Sequence, residues 1–193
     1  MRTEYLTTSK TISLRDALRS ELDGYHANTE AAFELFDLTT RAGYTGFLRS
    51  HLLSLSTMKS VHAEPNIYGL DFQHLENEIL KDLEALNVPP LYVPLESHIP
   101  TDALGVTYVV SGSHFGSQFI RKTLLSSCDL PEGGCYRYLE SSHLKNVWKN
   151  ILPSLTAGYL RQENLASIKA AAETFLLFGL AAEQIAGTTG KND

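Results

Sequence analysis

The stretch Leu104–Leu125, LGVTYVVSGSHFGSQFIRKTLL, decides how the chain is read. Its apolar residues Val106, Val109, Val110, Phe119, Ile120 and Leu124 recur at helical spacing. Yet Gly105, Gly112 and Gly116 stand inside it, and each glycine costs a helix about 1 kcal/mol relative to alanine. Gly112 and Gly116 are one turn apart and share a face. Gly105 lies two turns before Gly112 on nearly the same side, and Ser113 and Ser117 flank the strip. A helix bare along one side admits something close to its backbone. By pattern alone, another helix and a bound ligand are equal candidates.

Helical periodicity continues through the rest of the chain, and strand signals are almost absent. A first helix is expected after the Ser13 cap, running to about Phe36, with Leu14, Leu18, Leu22, His26 and Glu30 at successive turns. A second covers about Thr40 to Val61, with Tyr44, Phe47, Leu48, His51, Leu52 and Leu55 on its buried side. Pro65 and Gly69 mark a loop, and a third helix follows from Asp71 to Leu86. Pro89, Pro90, Pro94 and Pro100 make Val88 to Pro100 an extended connection, because proline is excluded from helix interiors. The glycine stretch then predicts one helix from Thr101 to Ser126. Beyond a loop over Ser127 to Gly134, helices are expected over Tyr138 to Leu152 and Arg161 to Ile185. Pro153 kinks or ends the former, while Ala170, Ala171 and Ala172 allow close packing of the latter. The tail from Ala186 to Asp193 reads as frayed. The fold class is therefore all-α: a single domain over 1–193, ordered from about 10 to 186, built as a compact multi-helical bundle.

A chain of 193 residues, 43% hydrophobic and 20% charged, can bury one sizeable core as an ordinary globular domain. The net charge of −6 argues against a nucleic-acid partner and against attraction to an acidic membrane surface. MRTEYLTTSK has no apolar signal-peptide core, and no apolar run approaches the length of a membrane span, so a cytoplasmic protein is expected. Cys128 and Cys135 are then expected as reduced thiols, and their spacing fits no standard zinc pattern.

His26 continues the leucine stripe of the first helix and is read as pointing inward. A neutral imidazole there can ligate a metal, and Glu30, one turn later, can hold its other ring nitrogen. A core histidine satisfied by a local hydrogen bond is the competing reading, and position alone favours it. His114 lies on the glycine helix but off its bare strip. The acidic run Glu76, Glu78, Asp82 and Glu84 lacks the E-x-x-H partner of a di-iron site and reads as a solvated helix face. Motifs for nucleotide binding, zinc proteolysis or a serine nucleophile are absent. A flat apolar ligand between the first helix and the glycine helix would account for both His26 and the bare strip.

Together these residues resemble the heme oxygenase family, in particular its short bacterial branch. Three blocks carry the resemblance: LRSELDGYHANTE, with Leu18, Arg19, His26 and Glu30; LENEILKDLEAL over Leu75–Leu86; and ALGVTYVVSGSHFGSQFI over Ala103–Ile120. Trp148 and Phe175 fall where later family positions occur, so the resemblance spans roughly Leu18 to Phe178. This chain has Ser111-Gly112-Ser113 where the bacterial motif usually has Glu-Gly-Ser, and Ser117 where a second glycine usually follows.

The resemblance implies heme as both cofactor and substrate, with His26 as the iron ligand. It implies catalytic roles for Gly112, Ser113 and Gly116, with oxygen admitted on the bare side, and heme contacts from Arg19, Glu30, Gly112, Gly116 and Ser117. Arg19, two turns before His26, is the first choice for a heme propionate, because a guanidinium matches a carboxylate. Lys145, Lys149 and Arg137 are weaker choices. The implied products are biliverdin, carbon monoxide and ferrous iron. The implied partners are a ferredoxin or separate reductase as electron donor and a phytochrome apoprotein as acceptor of biliverdin. Two alternatives stay open: a catalytically silent heme carrier or sensor on the same fold, and a helical enzyme that takes no heme.

Overall fold

The computed structural model describes residues 12–127, 130 and 134–189. Among them the chain forms α1 (Leu14–Phe33), α2 (Arg41–Lys59), α3 (Phe72–Ala85), α4 (Ala103–Gly112), α5 (His114–Ser127), α6 (Ser142–Thr156) and α7 (Arg161–Thr189). The described residues include no strand, only an isolated bridge between Ser13 and Gly158. Cys128, residues 10 and 11, and the last four residues lie outside the described set, and the expected state of the Cys128 thiol with them.

Side-chain caps set the helix starts. Ser13, Thr40, Asp71 and Asp102 each accept the backbone N–H three residues on, at 3.2, 3.0, 2.9 and 2.9 Å. Such a cap satisfies a donor that the helix itself leaves unpaired. The proline-bearing segment from Val88 to Pro100 forms no helix or strand, as expected.

Several boundaries differ from the sequence reading. The glycine stretch is two helices, broken at Ser113. There Ser111 and Ser113 donate to the carbonyls of Thr107 and Val110, and the His114 ring to that of Ser111. Three successive side chains competing for their own helix's carbonyls bend it at a Gly-Ser pair. The sixth helix begins at Ser142 rather than Tyr138, because residues 137–140 form a turn, and it runs through Pro153 to Thr156. The seventh runs unbroken to Thr189, so residues 186–189 are helical rather than frayed.

Helix α7 is the central strut, packed against α1, α2 and α4. It is long and apolar enough to cross a membrane by length and composition alone, yet half of that window is buried in the core. Leu177, Ala181, Ala182 and Ile185 are fully buried. One core cluster gathers Tyr44, Leu48, Phe72, Ile79 and Leu177; a smaller one gathers Leu14, Leu18, Leu22, Val109 and Ile151.

Candidate functional site

The two core clusters leave a cavity of about 490 Å³ where they meet. Helix α1 contributes His26, Thr29, Glu30 and Phe33 to its wall; α4 and α5 contribute Gly112, Ser113, Gly116 and Ser117. Phe47 and His51 of α2, Phe175 and Phe178 of α7, and Tyr138 close it. Thr29 bonds the Phe175 carbonyl at 2.9 Å, which ties α1 to α7 beside the opening. A second cleft, about 370 Å³, is lined by Arg15, Arg19, Asp23 and Trp148 and shares His26, Tyr108, Phe115 and Phe175 with the first.

His26 is not a core residue. Leu14, Leu18 and Leu22 are buried, but at the next turn the stripe reaches the cavity, and the His26 side chain is 55% exposed. Its Nδ1 lies 3.4 Å from Glu30 Oε2, one turn on. The carboxylate thereby engages one ring nitrogen and leaves Nε2 free of that partner. Phe175 meets the imidazole edge-on, with ring centroids 5.4 Å apart.

The glycine strip divides by task. A Cβ on Gly105 would stand 2.1 Å from the Ser167 carbonyl oxygen of α7, so this glycine serves helix packing. A Cβ on Gly116 would meet nothing within 4 Å, and one on Gly112 would only touch Trp148 at 3.5 Å. The strip is broken at Ser113, between α4 and α5, and Gly112 and Gly116 on either side of the break both line the cavity. The packing reading holds at Gly105, while the backbone at Gly116 borders open space.

Of the two altered positions, Ser111 is buried, bonded to Thr107 and absent from the cavity wall. Ser117 lines the cavity, and its hydroxyl reaches the Ser113 carbonyl at 3.4 Å.

No family model and no curated protein matches the chain. Among solved structures, one of the NO- and CO-bound heme oxygenase from Neisseria meningitidis matches with a TM-score of 0.68 at 16% identity. The match covers 91% of this chain and 93% of that one. The fold is the heme oxygenase fold. On that fold, His26, Glu30, Gly112, Ser113, Gly116 and Ser117 gather around one cavity, and Arg19 lies in the adjoining cleft.

The sequence reading overlooked His51, Tyr138, Arg15 and Tyr108. His51 carries a polar ring at an apolar position of α2, which was the available signal. Burial pushes its pKa down to about 4, and its Nδ1 sits 3.0 Å from the Phe47 carbonyl. A carbonyl only accepts, so the neutral ring carries its proton on Nδ1. Arg15 lies over the Trp148 ring at 5.8 Å, beside Arg19 in the cleft.

Of the acidic run of α3, Glu84 faces solvent as expected, but the rest does not form a solvated face. Asp82 is fully buried, and Glu76 is buried and paired with Lys59. Asp82 accepts the backbone N–H groups of Arg137 and Tyr138 at 2.9 and 3.0 Å, which shapes the turn before α6. Burial still pushes its pKa up to about 6.

Proposed function

We propose that this cavity binds heme and that the protein is a heme oxygenase. The observation that carries the reading is the facing arrangement. An accessible imidazole braced by Glu30 stands on one wall of an apolar cavity, and a helix with open space at Gly116 forms another. A flat macrocycle fits such walls, and a Cβ at Gly116 would project into the space it needs. His26 would hold the iron, while Phe175 keeps the imidazole upright. Arg15 and Arg19 would take the carboxylates, in the cleft that shares His26 with the cavity.

When bound, heme supplies both the iron that activates oxygen and the ring that is cleaved, giving biliverdin, carbon monoxide and ferrous iron. The chain's own residues shape that chemistry. Phe33, Phe47, Val109 and Phe178 exclude water from the cavity. Among the described residues, Glu30 is the only carboxylate in its wall and belongs to α1, so none of them places a carboxylic acid beside Gly112 and Gly116. His51 stays neutral near pH 7 and holds its proton toward Phe47. Electrons come from a separate donor, a ferredoxin or a reductase. The phytochrome partner rests on the family resemblance alone.

The test is turnover. Hemin-loaded protein given a reductant in air should yield a bile pigment. A stable hemin complex that never converts would favour the silent carrier instead.

A further inference from the structure

Two helix starts meet behind the cavity wall. His74 is the third residue of α3 and His143 the second of α6, and their rings lie 4.8 Å apart. The His143 Nε2 accepts the backbone N–H of Asp71, the N-cap of α3, at 3.1 Å. An imidazole nitrogen that accepts carries no proton, so His143 is neutral and holds its proton on Nδ1. Ser141, at the N-cap of α6, makes no side-chain capping bond; its hydroxyl turns to Glu78. The start of α6 is therefore fastened to α3 through His143 rather than by a cap of its own.

Protonation undoes that fastening, because it turns Nε2 into a donor facing another donor. The new charge would also stand in the first turns of both helices, where the backbone dipoles oppose a cation. The charged groups around it are few. His74 stacks on His143, and its own Nε2 lies 3.2 Å from Glu78 Oε1. Asp71 favours the imidazolium, but its Oδ1 already accepts the His74 N–H at 2.9 Å. Lys81 and Asp82 act on Glu78 from the same helix. Burial, then His74, hold the His143 pKa below its ordinary value against the pull of Asp71. With the folded pKa depressed, the bond is intact above about pH 6.5 and is lost as pH falls through the folded value.

We propose that His143 and the Asp71 N–H form an acid-opened latch that fixes the first turn of α6, and with it the turn over residues 137–140 that carries Tyr138 into the cavity wall. Acid thus loosens one wall of the cavity while the core stays packed. The latch does not depend on which ligand the cavity takes.

The experiment measures amide hydrogen-exchange protection by NMR in wild type and His143→Gln, at about pH 7.5 and about pH 5, on either side of the histidine range. Glutamine can accept the Asp71 N–H but cannot take up a proton in this range. In wild type, protection of the Asp71 amide should fall about five- to tenfold in acid, the worth of one hydrogen bond. In His143→Gln it should hold. The Tyr138 amide is bound by Asp82, which titrates in both proteins, so only the difference between them reports the latch. That amide should be better protected in His143→Gln than in wild type at the lower pH. Asp71 protection that ignores pH in wild type, or that falls equally in both proteins, would overturn the latch. Equal protection of Tyr138 in both would overturn its link to the cavity wall. A variant that does not fold leaves a test in wild type alone, the nitrogen shifts of the His143 ring. They should show the proton on Nδ1 at neutral pH, and a proton on Nε2 would overturn the proposal.

Discussion

Gly116 and His26 face the same space with opposite endowments, one offering no side chain and the other an accessible nitrogen. Replacing Gly116 separates packing from ligand approach, because a side chain there meets no protein atom within 4 Å. Gly116→Leu should fold and gain up to about 1 kcal/mol of stability, since leucine favours a helix over glycine. The same variant should lose hemin uptake, because leucine would fill the space that heme needs. Thermal unfolding and hemin titration on one preparation check both halves. Ser117 is the remaining difference from the family strip. Ser117→Gly should lower stability by about 1 kcal/mol, as a glycine in a helix does, and should retain hemin binding.

The elements were largely legible, because each apolar stripe has a face and four helices have a side-chain cap. Leu75, Ile79, Leu83 and Leu86 are all buried, as the spacing of α3 implies. The break at Ser113 was not legible. It depends on hydroxyl and imidazole groups turning onto their own helix's carbonyls, and hydrophobic periodicity does not register those bonds. The turn at Tyr138 was hidden for a similar reason, since its stabilising carboxylate comes from Asp82, far away in sequence. The burial of Asp82 escaped the same reasoning, because a charged residue on a helix reads as solvated until a distant donor is seen. Gly105 belongs to this scale as the contact between α4 and α7. Gly105→Ala should destabilise the protein by about 1–3 kcal/mol, the usual cost of overpacking. The obstacle is the backbone oxygen of Ser167, which cannot swing aside as a side chain can. Denaturant unfolding measures this directly.

Across the whole molecule, the site was half written in the sequence. The first helix and the glycine stretch announced themselves, whereas His51 and Tyr138 became site residues only when α2 and the turn before α6 closed the cavity. That closure has a consequence for stability against pH. His51 is held neutral, with a folded pKa near 4 against a reference of 6.5. Its contribution is present above pH 6.5 and is lost as pH falls through the folded value. Asp82, raised from 3.8 to about 6, acts in the opposite sense: its contribution is present at low pH and lost as pH rises through 6. Between pH 7 and 5, wild type should therefore lose about 2 kcal/mol relative to His51→Gln, in which only the Asp82 effect remains. Urea unfolding at the two pH values reads that difference.

The account stands most directly on whether His26 holds heme iron in this cavity. The decisive measurement is the absorption spectrum of purified protein titrated with hemin, for wild type and His26→Ala side by side. The account predicts a saturable, histidine-ligated heme band in wild type and its loss in His26→Ala. No heme band in wild type, or the same histidine-ligated band in both proteins, would contradict it.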